Sequence, residues 1–168
     1  KPKQFLNLVS EKSMIRETIE RTVKIIPFEK IFIATNIKYM ENIKKEIPEL
    51  PEENIILEPM ARDTAACIAY AGLIIRKKYP DSIMAVLPSD HLIKKEGKFL
   101  LSLEKALEKA ESEYIITLGI KPIYPETGYG YIEYKKNGSG SEIYSVKSCR
   151  EKQNFETAEK YIEKRNYL

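Results

Sequence analysis

The sequence contains one histidine, two cysteines and no tryptophan among its 168 residues. A Ser-His-Asp hydrolase or a zinc site would have to be built around His91 alone, which disfavours both classes. Cys67 lies in an alanine-rich helical pattern and Cys149 lies far away in a strand-like stretch. We therefore expect two buried, reduced thiols, as in a cytoplasmic protein, rather than a disulfide. No apolar run approaches the roughly 18 residues that a membrane-spanning helix needs.

Neither sign of charge dominates the sequence. Lys and Arg number 28 against 25 Asp and Glu, which gives a formal net charge of +3. An excess this small does not indicate a nucleic-acid partner. Apolar residues make up 43% and charged residues 32% of the chain. This is the composition of an ordinary globular domain, and it excludes collagen, low-complexity disorder and a disulfide-rich scaffold.

Helical and strand-like periods alternate along the chain. A 3.6-residue period of apolar residues predicts five helices, the first capped by Ser10 or Ser13 and the third by Asp63 or Thr64. These helices cover residues 13–26, 37–47, 63–79, 99–112 and 154–165. Short apolar runs predict buried strands. These runs cover residues 30–35, 54–58, 82–87 and 114–118.

The last third of the chain changes pattern. Two strand-like pieces, 129–136 and 142–147, are joined by the turn residues Asn137 to Gly140. The alternation before them predicts an α/β fold with a mostly parallel sheet flanked by helices. Ligands of such sheets bind outside the carboxyl ends of the strands. The residues that follow each predicted strand are therefore the ones in which to look for chemistry.

The segment Pro88-Ser89-Asp90-His91 follows the third predicted strand. A single carboxylate can hold Mg²⁺ when substrate phosphates and water complete the octahedron, which makes Asp90 a candidate metal ligand. The alternative is a turn or helix cap, because Ser and Asp favour both. His91 is equally compatible with a hydrogen-bonded structural role. Position alone leaves these alternatives open.

The segment 58–64, EPMARDT, leads from the second predicted strand into a helix. Free N–H groups and the helix dipole favour an anion or a polar ligand edge there, and Arg62 adds a fork of donors. The alternative is a capped helix with a solvated arginine.

Two further segments carry candidate binding groups. The segment 125–131, PETGYGY, enters a strand, and its glycines allow a ligand to approach the backbone closely. The alternative is a hairpin entry with packed tyrosines. Lys3 and Lys152 offer cations for phosphate, although isolated lysines are usually solvated.

The chain contains, in order, PKQFL, EPMARDTA, LPSDH, PETGYGYI and the Glu151-Lys152 pair. Taken together, these segments resemble the sugar-1-phosphate nucleotidyltransferases, in particular their bacterial mannose-1-phosphate guanylyltransferase branch. The resemblance covers essentially the whole chain. It implies a Rossmann-like, GT-A-like fold, with the nucleotide-binding part at about 1–120 and the sugar-binding part at about 121–168. Gln153 stands where the branch has proline, and Asp63 where it has asparagine.

The resemblance also implies a chain truncated at both ends. The family begins with a strand and a Gly-rich loop immediately before Pro2-Lys3, so the first strand is missing here. Removal of that central strand is expected to leave unpaired backbone and an exposed apolar face.

The resemblance assigns roles residue by residue. Lys3 and Lys152 would contact phosphates, and Asp90 would hold Mg²⁺. A second group would frame the guanine and ribose, namely Glu58, Pro59, Ala61, Arg62 and Thr64. A third group would form the sugar pocket, namely Thr127, Gly128, Tyr129 and Glu151.

The implied function is Mg²⁺-dependent transfer from GTP to mannose 1-phosphate, giving GDP-mannose and pyrophosphate, in a cytoplasmic enzyme without nucleic-acid or membrane partners. The resemblance leaves room for a homodimer and does not fix the oligomeric state. Two alternatives stay open. One is transfer to another sugar phosphate or from another nucleotide. The other is a non-catalytic sugar-nucleotide-binding domain that lacks the Gly-rich loop.

Overall fold

The structure is a computed structural model that describes residues 2–8, 10–60, 62–135 and 142–168. Within these ranges the helices are α1 Met14–Thr22, α2 Met40–Glu46, α3 Thr64–Lys78, α4 Glu96–Ala110 and α5 Phe155–Lys164. The strands are β1 Ile33–Asn36, β2 Ile55–Glu58, β3 Tyr131–Lys135 and β4 Ser145–Arg150. The predicted α/β class is confirmed. The chain forms two compact units, Lys1–Ile116 and Thr117–Leu168.

The sheet of the first unit is a parallel pair. β1 and β2 run side by side from Ile33 opposite Ile55 to Asn36 opposite Glu58. Ile55 and Ile56 are buried in this pair. Because the two strands share a direction, both end at the same edge of the sheet, and the predicted ligand-binding segment 58–64 begins there.

The core of the first unit lies among α1, α2 and the sheet. Phe5, Ile15, Ile19, Ile43 and Ile47 are each less than a tenth exposed and pack into one cluster. Burial of an aliphatic or aromatic side chain of this size stabilises a fold by roughly 1.5–3 kcal/mol, so this cluster is the main apolar contribution to the unit.

Helix α1 starts as predicted and ends early. The hydroxyl of Ser13 accepts a hydrogen bond from the backbone N–H of Arg16 at 3.4 Å, which caps the first turn. At the other end, the carbonyl of Thr22 accepts from the N–H groups of both Ile25 and Ile26 at 3.1 and 3.0 Å. The predicted last turn of the helix is therefore an irregular turn before Pro27.

Two predictions of buried strands are wrong. Residues 82–87 and 114–118 are not strands, and no described backbone group forms a sheet ladder with either segment. Apolar side chains in them are exposed: Val86 is 50% and Ile115 98% exposed. A strand exists only when a neighbour satisfies its N–H and C=O groups, and the apolar pattern of a segment does not supply that neighbour.

β1 also starts later than predicted. Residues 28–30 form a short 3₁₀ turn, and the fully buried Asn54 donates from Nδ2 to the carbonyls of Glu29 at 2.9 Å and Ile31 at 2.8 Å. These two carbonyls accept hydrogen bonds from the Asn54 side chain and not from a neighbouring strand. The pairing of β1 with β2 therefore begins at Ile33.

The second unit is built on β3 as its central strand. β3 pairs antiparallel with β4, with Tyr131 opposite Arg150. On its other side, the N–H of Ile132 donates to the carbonyl of Leu168 at 2.8 Å, and the N–H of Leu168 donates back at 3.0 Å. The predicted turn at Asn137 to Gly140 lies outside the described residues.

Tyrosines form the core of this unit. Tyr131 and Tyr167 are buried together with Ala158, and Tyr161 stacks on Tyr167 with ring centroids 4.0 Å apart. Beside them, the carboxylate of Glu133 accepts hydrogen bonds from Lys147 at 2.7 Å and from the hydroxyl of Ser148 at 3.0 Å. These hydrogen bonds hold the pKa of Glu133 below its usual value.

Both cysteines are free, as predicted, but only one is partly buried. Cys67 is half-buried on α3, whereas Cys149 is exposed, which corrects the prediction that both thiols are buried. Cys149 lies on β4, where most side chains face solvent. Among the described helices, none combines the length and the apolar character needed to cross a membrane.

Substitution Asn54→Ala is expected to destabilise the protein by about 2–3 kcal/mol, because two backbone carbonyls lose their buried donor. Urea unfolding followed by circular dichroism measures this loss. Asn42→Ala in α2 is the matched control, since alanine favours the helix and the change leaves the contacts of Asn54 intact. Equal stability of the two variants would contradict the structural role of Asn54.

Candidate active site

The segment after β2 connects the end of the sheet to the start of α3. Asp63 precedes the helix with φ 22°, a left-handed backbone conformation, and its side chain makes no capping hydrogen bond. Thr64 is the first helical residue. The first-turn N–H groups of α3 are therefore not capped by Asp63, and they suit a polar or anionic ligand. Ala61, which the sequence also predicts here, lies outside the described residues.

A pocket of about 160 Å³ lies beside this segment. It is smaller than the roughly 300–1,000 Å³ of typical small-molecule sites, so it accommodates part of a ligand. Apolar, aromatic, acidic and basic side chains all contribute to its wall. The lining residues are Glu58, Pro59, Met60, Arg62, Ala66, Cys67 and Tyr70. The structure thus brings three predicted nucleotide-binding residues into one pocket, which Thr64 does not line.

Arg62 keeps most of its donors available in the described structure. Its Nε–H donates to the sulfur of Met60 at 3.1 Å, and the side chain is exposed. The terminal guanidinium nitrogens form a planar fork that suits a phosphate or a carboxylate.

Cys67 is a pocket residue that the sequence motifs do not reveal. Burial, followed by a hydrogen bond and repulsion from the Glu58 carboxylate, raises the pKa of its thiol to about 11. The thiol is therefore neutral and unreactive near pH 7. Its place one helical turn after the start of α3 was readable from the sequence, but its contact with Glu58 depends on the tertiary structure.

Lys3 and Asp90, which the family resemblance assigns to phosphate and to Mg²⁺, form an ion pair. The Nζ of Lys3 lies 2.8 Å from Oδ2 of Asp90. The hydrogen bond from Lys3 is the main reason why the pKa of Asp90 is lowered. The carboxylate is consequently ionised at pH 7 and already has a cation beside it.

Asp90 fits a metal site in which the protein supplies few ligands. Among the described residues, no group of three or more His, Cys, Asp and Glu side chains is arranged to hold a metal ion. Mg²⁺ can be bound through one carboxylate when substrate phosphates and water supply the other ligands. The Asp90 carboxylate, now paired with Lys3, could supply that one ligand. The donor set is therefore compatible with Mg²⁺.

In the second unit, the predicted sugar-binding loop is exposed and hydrogen-bonded to the residue before it. Thr127, Gly128 and Tyr129 face solvent. Oε1 of Glu126 accepts a hydrogen bond from the N–H of Gly128 at 2.8 Å. The hydroxyl of Tyr131 donates to the carbonyl of Glu126 at 2.8 Å. Sequence reasoning did not single out Glu126.

Glu151 lies beside the end of the same loop. A Cβ at Gly130 would be 3.4 Å from the carbonyl oxygen of Arg150 and 3.7 Å from Oε1 of Glu151. The pairing of Tyr131 with Arg150 causes this proximity. Two predicted sugar-binding motifs, far apart in sequence, are thus adjacent in the second unit.

Lys152 has a left-handed backbone with φ 28° and an exposed side chain. It is followed by Gln153, which donates to the carbonyl of Glu151. The structure therefore places a sharp turn at the position where the sequence departs from the family pattern.

A family model described as nucleotidyl transferase matches residues 1–168. The chain belongs to this family. The mannose-1-phosphate guanylyltransferase of Escherichia coli is 40% identical over 99% of the chain and 37% of that protein. The xanthan biosynthesis protein XanB of Xanthomonas campestris is 38% identical over 99% of the chain and 35% of its own length.

Solved structures agree with this membership. A Thermus thermophilus structure titled mannose-1-phosphate geranyltransferase has a TM-score of 0.87 at 31% identity, covering 99% of this chain and 48% of that one. A Helicobacter pylori mannose-6-phosphate isomerase structure has a TM-score of 0.79 at 28% identity, covering 99% and 62%. The predicted family and fold are confirmed, and the chain spans about a third of the length of the first two relatives.

The raised pKa of Cys67 predicts its reactivity. In a Cys149→Ser background, the rate of iodoacetamide alkylation at Cys67 is expected to rise with pH toward a midpoint near 11. Glu58→Gln should shift this midpoint to lower pH, because it removes a negative charge beside the thiolate. Mass spectrometry of the modified peptide measures both rates. An unchanged midpoint in the Glu58→Gln variant would contradict the contact.

Proposed function

We propose that the protein transfers a guanylyl group from GTP to mannose 1-phosphate and releases pyrophosphate, with this chain contributing to a longer enzyme. The similarity to the E. coli mannose-1-phosphate guanylyltransferase, 40% identical over 99% of the chain, carries this proposal. The residues that the family resemblance assigns to nucleotide, metal and sugar lie at three places whose geometry is consistent with this proposal. These are the pocket beside β2, the Lys3–Asp90 pair and the loop before β3.

The proposed reaction needs no general base. A phosphate oxygen of mannose 1-phosphate, already ionised at pH 7, forms a bond to the α-phosphorus of GTP. The bond from the α-phosphorus to the bridging oxygen breaks, and pyrophosphate leaves with that electron pair. Positioning and charge neutralisation are then the main requirements. The chain has one histidine, His91, and the proposed reaction does not require it as a base.

Lys3 and Asp90 would serve charge neutralisation. Asp90 would hold a Mg²⁺ ion, which when bound neutralises phosphate charge and polarises the phosphorus. Lys3, now paired with Asp90 at 2.8 Å, would turn its ammonium toward the phosphates of the nucleotide. Both side chains are charged at neutral pH, so neither needs to gain or lose a proton for this role.

The pocket beside β2 would select the base. The carboxylate oxygens of Glu58 would accept hydrogen bonds, which suits the N1–H and N2–H donors of guanine. Adenine presents an acceptor at N1 and would leave that carboxylate unpaired, a mismatch that discriminates strongly. Arg62 would contact the phosphate or ribose side, with Pro59, Ala61 and Thr64 completing the proposed subsite.

The second unit would bind the sugar phosphate. Thr127, Gly128 and Tyr129 would line the mannose pocket, Glu151 would accept from mannose hydroxyls, and Lys152 would pair with the sugar phosphate. The position of Glu151 next to Gly130 supports a single sugar subsite in this unit. We also propose a cytoplasmic location, where GTP is abundant and free thiols such as Cys67 persist.

The proposal predicts a specific loss in the full-length protein. With GTP, mannose 1-phosphate and Mg²⁺, the wild type should release pyrophosphate, and Asp90→Asn should lower kcat by about 10²–10³-fold, the usual cost of losing one charge-stabilising group. A coupled phosphate assay measures the rate. Asp81→Asn, at an exposed position outside the proposed site, is the matched control and should retain wild-type activity.

The same assay separates the alternatives. Faster turnover with another nucleotide or another sugar phosphate would redirect the substrate assignment within the family. Binding of GDP-mannose in calorimetry without turnover of any pair would instead favour a non-catalytic sugar-nucleotide-binding protein.

A further inference from the structure

The backbone of Glu126 ties an exposed loop to the core of the second unit. Its N–H donates to the carbonyl of Tyr124 at 2.9 Å, and its carbonyl accepts from the hydroxyl of Tyr131 at 2.8 Å. Tyr131 is only 3% exposed, and its ring packs edge-on against Tyr161 with centroids 5.5 Å apart. The main chain at Glu126 is therefore attached to the most buried aromatic residue of this unit.

The side chain of Glu126 extends the same attachment into the loop. Oε1 accepts from the N–H of Gly128 at 2.8 Å, and the carboxylate also accepts from the hydroxyl of Tyr124. A Cβ at Gly128 would lie 3.1 Å from Oε1, so the carboxylate sits directly against the backbone of the loop. Charge-assisted hydrogen bonds of this kind are about twice as strong as neutral ones.

We propose that Glu126 is a positioning residue that fixes the backbone of the loop Thr127–Tyr129 for sugar-phosphate binding, with Tyr131 anchoring Glu126 to the core. The inference rests on the proposed function, because that function makes the loop a sugar subsite. Glu126 acts through the backbone of Gly128 and does not touch the substrate. Without the Glu126 carboxylate, the loop would keep its substrate-binding side chains, but its backbone would no longer be held in one conformation.

A positioning role predicts a selective kinetic defect. In the full-length protein, Glu126→Ala should raise the KM for mannose 1-phosphate about tenfold or more, the value of one hydrogen bond to a charged group. The KM for GTP should stay within about twofold, a change worth less than one neutral hydrogen bond. Glu126→Gln should recover most of the wild-type KM, because its amide oxygen still accepts from Gly128. Glu159→Ala on the exposed face of α5 is the control.

The attachment to the core has its own test. Tyr131→Phe removes one hydroxyl and keeps the buried ring, so the fold should persist while the KM for the sugar phosphate rises in the same direction as in Glu126→Ala. Hydrogen–deuterium exchange of the peptide covering residues 124–131 should be faster in Glu126→Ala and in Tyr131→Phe. It should stay near the wild-type rate in Glu126→Gln and Glu159→Ala.

Different outcomes separate the two proposals. Unchanged exchange and unchanged KM in Glu126→Ala would overturn the positioning role, as would equal rises in both KM values. A wild-type protein without turnover, in which exchange still follows the pattern above, would refute the proposed function while the ordering of the loop by Glu126 stands. Failure of Glu126→Gln to restore either readout would also overturn the role of the carboxylate as an acceptor.

Discussion

The parallel pairing of β1 and β2 is the constraint on which the pocket beside β2 depends. Its register sets Asn36 opposite Glu58, so both strands end at one edge, and the chain enters the pocket segment from there. Ile55 and Ile56 point to opposite faces of β2 and are both buried, so the core covers the strand on both sides. Asn54 adds a polar constraint by occupying two carbonyls of the incoming chain. A slip by one residue would turn Glu58 to the opposite face of the sheet.

Tyr131 has the corresponding position in the second unit. Its ring belongs to the core, its backbone opens β3 opposite Arg150, and its hydroxyl holds the carbonyl of Glu126. The two sequence interpretations of this segment, a hairpin entry with packed tyrosines and a ligand loop, are therefore not exclusive. The packed tyrosine is bonded through its hydroxyl to the backbone of the exposed loop.

Much of this arrangement was predictable because its signals are local. The first helix cap, assigned to Ser10 or Ser13 and found at Ser13, and the free state of both cysteines follow from patterns of a few residues. The start of α3 was placed to within one residue, but the cap predicted there at Asp63 or Thr64 makes no side-chain hydrogen bond. The paired strands were placed to within about three residues. Residues 82–87 were predicted wrongly, since an apolar run specifies burial only where a partner strand exists, and partners are set by tertiary structure. Lys3 and Asp90 were assigned separate roles, toward phosphate and toward Mg²⁺, and their direct contact was not predicted.

The residues missed by sequence reasoning share a physical character. Asn54 and Glu126 act by accepting from or donating to backbone groups, and such contacts leave no spacing pattern in a sequence. Groups that would meet substrate, such as Arg62 and Asp90, are recognisable because phosphate and metal chemistry admit few residue types. A reaction whose nucleophile is already ionised does not require a tuned general base. Under the proposed function its demands fall on geometry instead, which would come from residues such as Glu126 that motifs do not mark.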